Sequence, residues 1–142
     1  MKPQFVPTDM PKVVVRGRFY GDKTFPSLNN YLAEIGRNPR AGGRMKRDYM
    51  MICSSAIRVQ LKGWKAQRPI ILHYIYFEPS KGQKRDVGNI HDMFDKVFED
   101  SLQQCGVIPN DDPAHVVNMT HDFYYTDDEP YIEVYIEELE NG

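Results

Sequence analysis

The feature that most constrains the fold is an apolar stripe late in the chain. Ile90, Met93, Phe94, Val97, Phe98, Leu102 and Cys105 recur at steps of three and four, the spacing that turns one helix face toward a core. Asn89 precedes the stripe as a candidate cap, and Gly106 follows it as a stop. A helix of this kind needs an apolar surface to lie on. Just upstream, the nearly continuous apolar run Pro69–Phe77 reads as a central strand.

Other segments extend the pattern. Val13–Tyr20 places Val13, Val15, Gly17 and Phe19 on one face and Arg16 and Arg18 on the other, as in a half-buried strand. Across Arg44–Lys62, residues Met45, Tyr49, Ile52, Cys53, Ala56, Val59 and Leu61 lie mostly three or four apart. That spacing predicts a helix stopped by Gly63. Val116–Tyr125 and Tyr131–Leu139 read as strands, joined as a hairpin through Asp127-Asp128-Glu129-Pro130. Glu133, Glu137 and Glu138 are expected on the solvated outer face of the last strand. Phe25–Gly43 is turn-rich and irregular, with a short helix drawn at 29–35. Met1–Lys12 holds Pro3, Pro7 and Pro11, and reads as an extended tail before a single domain at 13–142. The order β-α-β-α-β-β predicts an α+β fold, a two-layer domain with a mixed four-stranded sheet packed with two main helices.

Composition sets outer limits. A chain of 142 residues fits one domain, and a hydrophobic share of 41% argues against disorder. The two cysteines, Cys53 and Cys105, fall on apolar-periodic stretches and are expected as small buried hydrophobes rather than a disulfide. No apolar run approaches membrane-spanning length, and the proline-bearing N-terminus lacks the apolar core of a signal peptide. A reducing, cytoplasmic setting is the expectation.

Charge divides the chain in two. Residues 1–85 hold 17 Lys/Arg against 5 Asp/Glu, whereas residues 86–142 hold one Lys against 15 Asp/Glu. Such asymmetry suggests an acidic partner for one part and cations for the other. Arg37, Arg40, Arg44, Lys46 and Arg47 flank Gly42-Gly43, read as a hinge, and Lys81, Lys84 and Arg85 fill a loop. These side chains suit sequence-independent contact with backbone phosphates; a solvated basic surface is the plainer alternative. Phe25, Tyr31 and Trp64 fit either base stacking or core packing.

The acids carry the chemistry. Asp86 stands at the strand-loop-helix junction, and Asp111-Asp112 follow the helix and a short apolar step. Should the segment after Gly106 fold back beside the helix as an adjacent strand, the two acidic points can meet, and carboxylate oxygens are the ligands Mg²⁺ takes beside substrate phosphate. Helix-capping and turn aspartates are the other reading of the same residues. On the helix, Asp92, Lys96, Glu99, Asp100 and Gln103 cluster on the polar side, and Lys96 is the one cation after Arg85. It suits either steadying carboxylates and a scissile phosphate or a simple i,i+4 ion pair. His73, His91, His115 and His121 show no zinc-ligand spacing; His73 is expected satisfied in the core and His91 near the acids. No Ser-His-Asp arrangement, P-loop or dinucleotide glycine pattern is present.

Lys84-Arg85-Asp86-Val87-Gly88-Asn89, then Lys96-x-x-x-Asp100-x-Leu102, then Gly106-Val107-Ile108-x-x-Asp111-Asp112 together resemble the RusA family of Holliday junction resolvases. Pro26-Ser27-x-Asn29-Asn30-Tyr31 is similar to that family's early element. The resemblance spans roughly residues 13–139. It implies a Mg²⁺-dependent (Mn²⁺ also fits) endodeoxyribonuclease, a homodimer acting on branched DNA such as four-way junctions in recombination and repair, in a bacterium or encoded by a phage. Carried over by position, Asp86, Asp111 and Asp112 are the metal residues, with Asp112 the favoured ligand of the distal pair. Asp86, Asp112 and Lys96 are catalytic, and Asn89, Asp92 and Asp100 support them. Lys84, Arg85, Arg40, Arg44, Lys46 and Arg47 are the expected DNA contacts. Gly88 stands where the family pattern has a second Asp, so a binder of branched DNA that does not cut it is the alternative. Asp92 or Asp95 would have to substitute, and Asp95 points elsewhere on the helix. A metal-binding structural protein without a nucleic-acid partner is a third reading.

Overall fold

The computed structural model of the chain describes residues 9–16, 36, 38–82 and 87–140. Six elements follow in order: β1 (Lys12–Val15), α1 (Pro39–Leu61), β2 (Ile70–Pro79), α2 (Val87–Gln104), β3 (Val116–Thr126) and β4 (Tyr131–Glu138). The architecture is the expected α+β one, with a single mixed sheet and two helices on one of its faces. Elements expected at 29–35, in the tail before Asp9 and across 17–20 lie outside the described residues, as do Lys84, Arg85 and Asp86.

The sheet order is β1-β4-β2-β3, which corrects the expected hairpin. β4 pairs antiparallel with β1 and β2, β3 pairs parallel with β2, and β2 lies between β3 and β4. The reason is α2. A helix that must lay its apolar stripe on the sheet works as a crossover, and a crossover returns the next strand parallel to the one before. The loop from β3 then passes the end of β2, where Ser80 N–H donates to Thr126 O at 3.0 Å and Ser80 Oγ donates to Asp127.

β2 is the hub. Ile70, Leu72, Tyr74 and Tyr76 are essentially inaccessible and face the helices, while Ile75 on the opposite side is only 1% exposed. That two-sided burial is why its sequence is apolar without alternation. The stripe of α2 is buried as expected, with Cys105 half-buried against the core. Its C-terminus closes in a Schellman arrangement: Gly106 N–H donates to Gln103 O at 3.0 Å and Val107 N–H to Leu102 O at 2.9 Å, with Gly106 at φ +76°. At the other end the helix starts at Val87. Asn89 therefore occupies the first turn rather than the cap position.

α1 begins five residues earlier than its periodicity suggests. Asn38 Oδ1 accepts from Arg40 N–H at 3.0 Å, and Pro39 stands at the first helical position, where its fixed φ and missing N–H cost nothing. Gly42-Gly43 thus sits inside a helix and is no hinge. The buried positions recur every fourth residue, at Met45, Tyr49, Cys53, Ile57 and Leu61, whereas Val59 is 71% exposed. Gln60 ties this helix to β1: its Nε2 donates to Val14 O and its Oε1 accepts from Val14 N–H, both at 2.7 Å. The outward backbone groups of Val14 on this edge strand are thereby satisfied. Trp64 packs on the core, and both cysteines are free thiols. Burial pushes the Cys53 thiol far up. On the sheet face away from the helices the acids are engaged rather than merely solvated: Glu133 accepts from Tyr135 Oη at 2.6 Å and Glu137 lies 2.8 Å from His73 Nε2. Among the described residues no helix is long and apolar enough to cross a membrane.

The helical glycines give a direct test. A Cβ added at Gly43 meets only the Arg47 guanidinium tip, at 3.9 Å. Gly43→Ala is expected to stabilise the protein by about 0.5–1 kcal/mol, read as a higher urea midpoint at unchanged m. A hinge that must bend would show no gain.

Candidate functional site

On its outer side α2 carries a line of charges that crosses three parts of the fold. Lys96 Nζ lies 3.2 Å from Asp100 Oδ1 and 3.2 Å from Asp111 Oδ2. Asp100 Oδ2 lies 3.6 Å from Lys46 Nζ on α1. Hydrogen bonds to Asp100 and then Asp111 raise the Lys96 pKa, with burial opposing them, so the ammonium stays charged. With 62% of its side chain exposed, Lys96 contributes only about 0.2–1 kcal/mol per pair to stability. Its value is positional, since it joins the helix to the turn that follows it.

That turn folds back along α2, bringing Asp111 to Lys96, without forming a strand. Val107 and Ile108 are buried, and Ala66 N–H donates to Val107 O at 2.9 Å. Asp112 organises the next residues: its Oδ1 accepts from Ala114 N–H at 3.1 Å and lies 2.6 Å from His115 Nδ1. Its Oδ2 accepts from Asn110 Nδ2 at 3.1 Å. The hydrogen bond with His115 is the main cause holding its carboxyl below the ordinary range. The pair therefore splits. Asp111 faces the helix lysine, and Asp112 builds the turn. Asp86 lies outside the described residues, so its meeting with this pair does too. The donors at 111 and 112 are hard carboxylate oxygens of the kind Mg²⁺ takes. Lys96 holds one oxygen of Asp111, and the bonds described at the other carboxylate are those of the turn.

A second polar group lies on the inner side of α2, against the sheet. Asp95 is 8% exposed. Tyr76 Oη donates to its Oδ1 at 2.5 Å, while His121 Nε2 and His91 Nδ1 stand 2.5 and 3.1 Å from its Oδ2. One turn on, Tyr74 Oη donates to Glu99 Oε2 at 2.9 Å. The register pairs Tyr74 with His121 and Tyr76 with Phe123, and His121 stacks flat on Tyr74 at 5.2 Å. Asp95 and His121 were not among the expected site residues. The sequence signal was there in part: His91 and Asp95 are four apart on a helix. His121 became a partner only through the parallel register of β3 with β2.

Glu99 is a carboxyl displaced toward neutrality. Burial pushes its carboxyl up to about 7; the Tyr74 hydroxyl opposes this, Asp95 and Asp111 add to it, and Lys96 opposes it. Burial is also the first cause raising the Tyr74 and Tyr76 hydroxyls.

The basic residues separate by face. Arg40, Arg44 and Arg47 are exposed and follow one another at steps of four and three along α1. Lys46 is turned away to Asp100. Trp64 is half-buried against the core, Phe25 and Tyr31 lie outside the described residues, and His73 is satisfied by Thr120 at 2.6 Å and Glu137. No protein-family model matches the chain, and no curated protein matches it.

The displaced carboxyl has a consequence for stability. Between the ordinary glutamate value near 4.5 and about 7, the folded chain keeps a proton on Glu99 that the unfolded chain has released. Stability from this group therefore falls as pH rises through that window and levels off above it. Urea unfolding at a series of pH values is expected to show that decline, and Glu99→Gln to flatten it. An identical slope in the variant would refute the assignment.

Proposed function

We propose that this protein is a RusA-like, metal-dependent endodeoxyribonuclease acting on branched DNA. The contact of Lys96 with Asp111, 3.2 Å long, carries the reading. It joins the helix lysine to the first acid of the distal pair, fifteen residues further on, and the α+β fold is the one that reading expects. In this scheme Asp86, Asp111 and Asp112 hold Mg²⁺ or Mn²⁺. The bound ion would supply Lewis-acid stabilisation and a more acidic water. Lys96 keeps Asp111 in place and sets a fixed positive charge where a phosphate approaches. Arg40, Arg44 and Arg47, with Lys84 and Arg85, neutralise backbone phosphates. A four-way junction offers two equivalent strands, so a twofold homodimer fits it.

Position 88 bears on the non-cutting alternative. Gly88 is exposed, and a Cβ built there meets only Asp92 Oδ2, at 3.9 Å. Nothing in the packing demands glycine, and the Asp92 carboxylate already borders the space an aspartate at 88 would fill. Asp95, committed to Tyr76 and two histidines, is no substitute. Asp92 is therefore the residue that takes over the missing ligand in the cutting form.

Cleavage of a synthetic four-way junction with and without Mg²⁺ is the test. Asp86→Asn, Asp92→Asn and Asp112→Asn are each expected to remove cleavage and leave binding intact or stronger, because carboxylate-phosphate repulsion falls. Gly88→Asp should tighten Mg²⁺ or Mn²⁺ binding and raise the rate. Activity that appears only in Gly88→Asp means a non-cutting binder, and Asp112→Asn cutting as well as the parent sinks the site.

Binding should also be electrostatic. With roughly six phosphate contacts, affinity is expected to fall on the order of a thousandfold between about 50 and 200 mM salt. A flat response in a fluorescence-anisotropy titration would reject DNA as the partner.

A further inference from the structure

We propose a second metal site, separate from the acidic one, formed by His91, Asp95 and His121 and suited to Zn²⁺ or a similar first-row divalent ion. One ligand atom from each side chain lies within 4.8 Å of the other two. Asp95 Oδ2 is the shared point, 3.1 Å from His91 Nδ1 and 2.5 Å from His121 Nε2. A tetrahedral ion with bonds of about 2.0–2.2 Å separates its ligand atoms by roughly 3.3–3.5 Å. The His91 pair at 3.1 Å is already near that spacing, and the His121 pair at 2.5 Å has to widen. Two imidazoles and one carboxylate form the donor set of three-ligand zinc centres that keep an open position, and imidazole distinguishes this set from the all-oxygen one that Mg²⁺ takes.

The surroundings are organised as a metal shell requires. Tyr76 Oη holds the other oxygen of Asp95 at 2.5 Å, the outer hydrogen bond that fixes a ligating carboxylate. His121 is stacked on Tyr74, with an interplanar angle of 5°, and lies nearly parallel to Phe123 at 6.3 Å. Its ring direction is therefore set by β2 and β3. Access is open: His91 and His121 are 25% and 21% exposed, and Asp92, 48% exposed, stands 3.3 Å from His91 Nδ1 on the solvent side. A bound ion would clamp α2 to β3, the edge strand whose other hydrogen-bonded neighbour is β2 alone. The site stands or falls apart from the nuclease reading, since neither its ligands nor its ion enter that scheme.

Co²⁺ is the probe, added to the full chain stripped of metal. One equivalent is expected to produce a visible d–d absorption that Zn²⁺ displaces, and Zn²⁺ should raise the melting temperature. His91→Gln and His121→Gln should each abolish the absorption. Tyr76→Phe keeps all three ligands and should weaken Co²⁺ binding by about 10–100-fold, while His115→Gln should change nothing. Circular dichroism checks folding, and His91→Gln, at an accessible position near the start of the helix, serves if His121→Gln fails to fold. No absorption at stoichiometric Co²⁺, or an absorption that survives His91→Gln or is lost in His115→Gln, overturns the proposal and leaves a hydrogen-bonded triad.

Discussion

The structure depends on the way the rings of β2 meet those of α2. Tyr74 packs edge-on against Phe94 and Phe98, both at 6.1 Å, and Tyr76 against Phe94 at 5.8 Å. Each such pair contributes about 0.5–1.5 kcal/mol beyond the area it buries. The same tyrosines carry hydroxyls that end inside the protein. A buried hydroxyl without a partner costs about 1–3 kcal/mol, so each must find an acceptor on the helix above it. Asp95 and Glu99 supply them. The packing that makes the core therefore also draws two carboxylates under α2.

Those carboxylates fare differently because their partners differ. Asp95 has donors on both oxygens: the Tyr76 hydroxyl on one and two histidine rings beside the other. Burying a lone carboxylate costs several kcal/mol, and three polar partners are what offset that cost. Glu99 has one hydroxyl and the acids Asp95 and Asp111 for neighbours, and its carboxyl moves toward neutrality instead. No buried side-chain oxygen or nitrogen among the described residues lacks a partner. The inner layer is thus satisfied as it stands, and a cation entering it would replace protons rather than fill a polar deficit.

Local pattern made α2 and β2 legible, because each declares its own burial through spacing. Partner choice is not local. The short acidic linker between β3 and β4 looks like a hairpin turn, yet β2 takes the place between them, since the α2 crossover fixes where β3 returns. The two glycines of α1 read as a break by propensity, about 1 kcal/mol each. Asn38, Pro39 and the four-residue spacing of Met45, Tyr49 and Cys53 override them. On the acidic side the helix lysine and the distal pair could be picked out in advance. Which acid of the pair would reach Lys96 depended on the turn that Asp112 builds. His121 is the clearest case of what sequence withholds: its role rests on a register with Tyr74 that nothing within its own strand reveals.

The uneven charge of the two halves takes on a spatial meaning in this fold. Lys46 reaches Asp100, Asp100 reaches Lys96 and Lys96 reaches Asp111, so the basic and acidic halves meet along the α1–α2 seam. Beyond the seam, the arginines of α1 stay exposed on their own side. Exposed charges act over about 8–10 Å at physiological salt, so each of these side chains acts on what lies close to it. A polyanion approaching Asp111 or Asp112 alone would be repelled. Under the proposed function, an extended polyanion that also lies along Arg40, Arg44 and Arg47 has that repulsion offset by contacts that a small anion held at the acid pair does not make.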